Sequence, residues 1–304
     1  MQTKRQIQQL LTSEGLVPNK RLGQNFLIDL NLMKLLIDYA NIDRDDIVLE
    51  VGCGTGSLTE GLAQKNAKII AVEADPALAK IAKRLLETQN NVEIINADIL
   101  ENKNTINPSV TEAINSARKQ YRGRFLLVAN LPYNVASPVM LNLVKAALSV
   151  NAMYVTVQKE VAERMTAEPG NKHYGTLSIF LSATGRVRIE RVLKPTVFWP
   201  APQVDSAMVS FDAKEEKIKR IKNIRLFSEI ISLFMQHRRK MVKTCTKFAT
   251  GRLAKITDFS EIFERAGINP NKRPDQLSPQ NYIEIANECY NQANLNAQTD
   301  RFDI

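Results

Sequence analysis

Four short apolar runs stand out in the first half of the chain: Ile47–Val51, Lys68–Glu73, Val92–Asp98 and Phe125–Ala129. Runs of this length, rich in β-branched residues, read as strands buried on both faces. Further strands are expected at Thr176–Leu181 and Ala207–Ser210. The period then changes. Leu226, Phe227, Ile230, Ile231, Phe234, His237 and Met241 recur at helical spacing, and Gly267, Pro270 and Pro274 separate them from a last helix expected after Ser278. The pattern predicts an amino-terminal basic arm and loop over 1–30, a seven-stranded α/β domain over 31–210, a small helical domain over 211–290 and a frayed tail over 291–304.

The residues at the end of each strand point to chemistry. Ile47–Val51 runs into Gly52-Cys53-Gly54-Thr55-Gly56, where glycines at alternate positions permit φ > 0 and close approach of a ligand to the main chain. A helix is expected from about Ser57, so a ligand would meet its N-terminus. The next strand ends in Glu73, 21 residues past Gly52, the separation at which an acid commonly holds ribose hydroxyls. The third ends near Asp98, and the fourth at Asn130-Leu131-Pro132-Tyr133. One acid at a strand end is usually a helix cap. Polar groups at four successive strand ends converge on one crevice in a doubly wound sheet.

The implied ligand carries ribose and adenine without a pyrophosphate, which fits S-adenosylmethionine. Asn130 and the Leu131 carbonyl could accept hydrogen bonds from an exocyclic amine, Pro132 stiffens the turn and Tyr133 offers a ring for stacking. The two histidines and three cysteines show no metal-ligand spacing, so no metal is expected.

Charge adds a second functional region. The chain carries a net +9, and residues 214–252 alone hold twelve Lys/Arg against three Glu, an equal excess. Arg238, Arg239 and Lys240 cluster near the end of an apolar-faced helix, a pattern that suits a phosphate backbone. Lys20 and Arg21 form a smaller basic group. No run approaches the ~20 apolar residues of a membrane helix, and the first residues lack a signal-peptide core. A cytoplasmic protein is expected.

Taken together, the motifs resemble those of the ribosomal RNA adenine N6-dimethyltransferases, the dimethyladenosine transferase (KsgA) family, over about Lys20–Leu277. Gly23-Gln24-Asn25-Phe26-Leu27 is similar to the family's amino-terminal signature, Glu50–Gly56 to its cofactor loop, and Phe198-Trp199-Pro200-Ala201-Pro202-Gln203-Val204-Asp205-Ser206 to its late motif. His237–Lys240 resembles the basic element of the carboxyl-terminal domain.

The resemblance implies a Rossmann-like class I S-adenosylmethionine-dependent methyltransferase with a small helical domain. Asn25, Leu27, Gly52, Gly54, Glu73, Asp98 and Asn130 would line the cofactor site. Tyr133 would stack on a target adenine and Phe198 would cover its other face, with Asn130, Leu131 and Pro132 completing the catalytic group. Arg238, Arg239, Lys240, Lys20 and Arg21 would contact RNA. The implied substrate is a pair of adjacent adenosines near the 3′ end of small-subunit ribosomal RNA, met by a monomer on the immature subunit. An Erm-type methylase of large-subunit RNA and a non-catalytic assembly factor are the alternatives. Two departures are Cys53, where many members have proline, and Glu101–Arg124, longer and more polar than the family leads one to expect.

Overall fold

A computed structural model describes the chain except residues 20–21, 146–149, 257 and 300–304, and the side chains of 293–299. It divides into two units, Met1–Ala162 with Val187–Asp212, and Glu163–Arg186 with Ala213–Ile304. Glu163–Arg186 groups with the carboxyl-terminal helices.

The first unit is built on seven strands: β1 (Ile47–Val51), β2 (Lys68–Glu73), β3 (Val92–Asn96), β4 (Phe125–Asn130), β5 (Ala152–Gln158), β6 (Gly185–Leu193) and β7 (Ser206–Ala213). Their order is β3-β2-β1-β4-β5-β7-β6. β1 to β5 pair in parallel and β7 runs antiparallel to β5. Every residue of β1 is buried, as expected of a central parallel strand covered on both faces. Because the first five strands run in parallel, their carboxyl ends share one edge of the sheet.

Helices cover the sheet. α1 is Lys4–Ser13, α2 Leu30–Ala40, α3 Ser57–Ala63, α4 Pro76–Leu85, α5 Pro108–Ala117 and α6 Ala136–Lys145. α2 buries Leu32, Met33, Leu36, Ile37 and Ala40 in the same core as Val48, Ile69 and Leu126. Asp29 caps it by accepting from the Asn31 and Leu32 N–H groups, and Asp75 caps α4 in the same way; such caps contribute ~1 kcal/mol each. The expected basic arm is in part this packed α1. Thr3 and Gln6 form its capping box, and Ile7 and Leu11 are buried beside Leu78 and Ile81.

Residues 101–124 are also ordered. Leu100–Asn102 and Thr105–Ile106 form a small hairpin, and α5 comes next. Arg124 then donates its backbone N–H to Asp46 Oδ1 at 2.7 Å and its guanidinium to Oδ2 at 2.6 Å. Part of that segment's polarity thus ties the starts of β1 and β4, at the sheet edge opposite the glycine turn.

The second unit is helical: α7 (Lys159–Thr166) enters it, followed by α8 (Thr176–Thr184), α9 (Ile224–Gln236), α10 (Phe259–Arg265) and α11 (Pro279–Thr299). The strand expected at Thr176–Leu181 is α8. Leu177–Leu181 are all buried, so no polar face marks the helical period. A short run buried on every side cannot be told from a buried strand by periodicity. Phe180 meets Phe227 edge-on at 5.1 Å, and Phe234 lies 6.0 Å from Tyr282. α9 ends at Gln236 rather than continuing through Met241, with His237 as its C-cap. The tail expected to fray from Asn291 continues α11 to Thr299, and 300–304 fall outside the described residues. Among the described residues no helix is long and apolar enough to cross a membrane.

Candidate active site

The glycine turn is dictated by backbone demands. Gly52 and Gly54 have φ of 75° and 58°, the left-handed region that side chains disfavour. Space forbids a side chain too. A Cβ on Gly52 would lie 2.8 Å from the Pro132 ring, and one on Gly54 2.9 Å from the Phe26 ring. The turn therefore packs against both the Asn130–Tyr133 turn and the Gly23–Leu27 loop.

These loops enclose one cleft at the carboxyl ends of the parallel strands. Its walls include Asn25, Leu27, Gly52, Gly54, Glu73, Asp98, Asn130, Leu131, Pro132 and Tyr133. Every cofactor-site residue expected from the sequence is thus brought to one cavity. Gln24 ties the rim: its amide donates to Asp75 at 2.9 Å and accepts the Asn19 N–H at 2.7 Å.

Three carboxylates differ by environment. Glu73 is buried, and its oxygens accept the Gly54 N–H at 2.8 Å and the Asp75 N–H at 2.9 Å. Burial still pushes it above the usual carboxylate range, against those two donors. Asp98 is exposed and accepts the Leu100 N–H at 2.9 Å. Glu50 is buried with Oε2 unpartnered. Burial pushes it up to about 8, and the charge of Glu73 adds to the effect. The nearby Thr59 hydroxyl offsets only part, since its oxygen forms no well-shaped hydrogen bond.

The Asn130 turn is held from below. Asn130 Nδ2 donates to the Asn25 carbonyl at 2.8 Å, and Oδ1 accepts the Thr156 hydroxyl at 2.5 Å. Tyr133 Oη and Ser206 Oγ lie 2.7 Å apart. Thr156 and Ser206 are fully buried, on β5 and β7. Ser206 closes the late motif, but its partnership with Tyr133 was not readable from the chain. Neither was the role of Thr156, because its strand carries no motif. Glu50 is expected only as the first residue of the cofactor-loop motif, with no role of its own.

Phe198 departs from expectation. Its ring is 2% exposed, lies in the core with Leu27 and Met208, and does not line the cleft. The two-residue strand Phe198–Trp199 pairs antiparallel with Phe26–Leu27, so Phe198 backs a wall that Leu27 presents.

The basic group is not uniform either. Arg238 is tied within the helical unit, donating to the Lys172 and Asn171 carbonyls at 3.0 and 2.9 Å and facing Asp275 at 3.5 Å. Arg239 and Lys240 are exposed. Lys240 Nζ lies 5.5 Å over the Phe248 ring, which stacks on His237 at 4.1 Å. Lys20 and Arg21 fall outside the described residues.

The family described as ribosomal RNA adenine dimethylase matches residues 16–291. The chain is 34% identical to the Ribosomal RNA small subunit methyltransferase A of Latilactobacillus sakei, over 93% of both chains. It is 35% identical to the same-named protein of Caldanaerobacter subterraneus, over 89% of this chain and 97% of that one. A crystal structure of a dimethyladenosine transferase from Plasmodium falciparum shares the fold, with a TM-score of 0.69 at 24% identity over 88% of this chain and 98% of that one. The 23S rRNA methyltransferase ErmE shares it at a TM-score of 0.58 and 20% identity, over 87% and 99%.

Proposed function

The chain belongs to the ribosomal RNA adenine dimethylase family, and from that premise we propose that it dimethylates N6 of two adjacent adenosines near the 3′ end of small-subunit ribosomal RNA. The observation that carries the reading is the convergence of the glycine turn, Glu73, Asp98 and the Asn130–Tyr133 turn on one cleft. The 34–35% identity to small-subunit enzymes over nearly the whole chain favours this substrate over large-subunit RNA.

The cleft residues suit S-adenosylmethionine. Glu73 retains lone pairs for ribose hydroxyls, and exposed Asp98 can accept from an adenine amine. The orphaned Oε2 of buried Glu50 is a polar atom without a protein partner, as expected where a cationic ligand group belongs. Bound there, S-adenosylmethionine would supply an electrophilic methyl group.

The chain's own residues prepare the target. An adenine amine is a poor nucleophile because its lone pair is delocalised into the ring. Asn130 Oδ1 and the Leu131 carbonyl, accepting its two hydrogens, favour a pyramidal and more electron-rich nitrogen. Tyr133 fixes the ring by stacking, so orientation and placed dipoles supply most of the rate. After one methylation a single N–H remains, and one of the two acceptors suffices for the second round. The base must leave its stack to enter, which suits an unpaired loop better than an A-form duplex.

Methyl transfer to purified small and large subunits, with modified nucleosides mapped, tests the reading. The expected product is dimethyladenosine at neighbouring positions in small-subunit RNA. Modification confined to large-subunit RNA would replace this reading with the Erm-type one.

A further inference from the structure

Both ends of the Asn130 amide are engaged, and one of its partners stands outside every motif. The Asn25 carbonyl can only accept, so Nδ2 must face it and Oδ1 must face Thr156. Thr156 is directly opposite Asn130 in the β4–β5 register and has no exposed surface. Its hydroxyl donates to Asn130 Oδ1, and its carbonyl accepts the Leu131 N–H at 3.1 Å. One residue of β5 thus holds two consecutive residues of the turn.

A hydroxyl at the centre of a sheet is costly unless it is hydrogen-bonded. Valine would fill the same shape and suit the strand as well, so packing alone does not call for threonine here. The polar contact that threonine adds is made to Asn130. Ser206 offers a parallel on the next strand, where a second buried hydroxyl meets Tyr133 at 2.7 Å.

We propose that Thr156 is a positioning residue for methyl transfer. Its hydroxyl occupies one lone pair of Asn130 Oδ1 and holds the amide in a single rotamer. The other lone pair is left for the target amine. Its carbonyl sets the path of Leu131, the second acceptor. The bond from Thr156 to Asn130 continues through Nδ2 to Asn25, so β5, β4 and the Gly23–Leu27 loop form one hydrogen-bonded chain. The inference rests on the proposed role of Asn130.

The test is a double-mutant cycle of Thr156→Val and Asn130→Ala, with Thr156→Ser as rescue, read by single-turnover methyl transfer at saturating cofactor and RNA. Cofactor affinity and thermal stability are measured alongside. Thr156→Val should slow turnover by roughly tenfold, as expected when one positioning hydrogen bond is removed, while cofactor and RNA affinity stay within about twofold. Thr156→Ser should recover most of the rate, and Thr156→Val should add little in the Asn130→Ala background. Should Thr156→Val fail to fold, Thr156→Ala supplies the hydroxyl-free variant. A normal rate without the hydroxyl, beside a slow Asn130→Ala, would overturn this inference alone, as would full additivity of the two changes. A normal rate in Asn130→Ala would overturn the reading of Asn130 and this inference with it.

Discussion

The cleft and the basic surface of the helical unit use polar groups in opposite ways. In the cleft, Glu73, Asn130 and Tyr133 each have fixed partners, and Thr156 and Ser206 are fully buried. On the helical unit Arg239, Lys240, Lys243 and Lys247 are exposed. Chemistry on a base needs atoms held to a fraction of an ångström. Holding a phosphate backbone needs charge, and long mobile side chains suffice because their contacts carry little sequence information. Arg238 and Phe198 are the instructive exceptions. Each belongs to a functional motif by sequence, yet Phe198 is buried and Arg238 is tied to two backbone carbonyls.

Phe198 offers the largest effect. Truncating a buried phenylalanine costs ~3–5 kcal/mol, so Phe198→Ala should lower the melting temperature markedly. Phe198→Leu retains most of the apolar volume and should keep both fold and turnover near normal. If Phe198→Leu melts normally but loses turnover by about a hundredfold, the ring serves the target base and the contrast with Tyr133 collapses.

Glu73 tests the opposite case, a buried group proposed to hold a ligand. A hydrogen bond to a charged group contributes roughly 1.5–3 kcal/mol, so Glu73→Ala should weaken S-adenosylmethionine binding at least about tenfold. Calorimetry returning wild-type affinity would remove Glu73 from the cofactor site. The variant should also loosen the glycine turn, since the Gly54 N–H loses its acceptor.

Which parts of the fold and site were legible in the chain depends on whether a residue answers to its sequence neighbours or to distant ones. The carboxyl ends of β1, β2 and β4 could be placed because parallel strands read as apolar runs and the groups after them break the pattern. Thr176–Leu181 could not be resolved because burial on every side erases the period. β5 passed unread although Thr156 lies on it, for the partner of Thr156 is 26 residues away in sequence and adjacent only through strand pairing. Partial burial of Arg238 was equally hidden, because its acceptors are the backbone carbonyls of Asn171 and Lys172.

Glu50 gives a pH signature. Its folded carboxyl titrates near 8, against an ordinary value of 4.5. The folded protein therefore holds a proton that the unfolded chain releases, and the group's contribution to stability is full below about 4.5 and lost as pH rises through about 8. The ligand-free protein should lose stability across that window, and Glu50→Gln should flatten the wild-type slope. Parallel melting curves for the two proteins would sink the assignment. A cationic cofactor beside Glu50 favours its ionised form, so binding should release a proton in wild type and fewer in Glu50→Gln.

The smallest effect separates Arg238 from its neighbours. If Arg239 and Lys240 meet phosphates, Arg239→Gln with Lys240→Gln should weaken RNA binding across sequences and flatten its salt dependence by about 0.7–0.9 for each phosphate no longer neutralised. Cofactor affinity should stay unchanged, since neither residue lines the cleft. Arg238→Gln should behave differently. It removes donors from the Asn171 and Lys172 carbonyls and a partner from Asp275. Its cost should appear as a lower melting temperature, with the salt slope preserved. Binding to subunits at several salt concentrations, alongside melting curves, decides the matter. A slope that flattens equally in Arg238→Gln would make all three residues phosphate ligands, and the distinction between a tied and an exposed cation would fail on this surface.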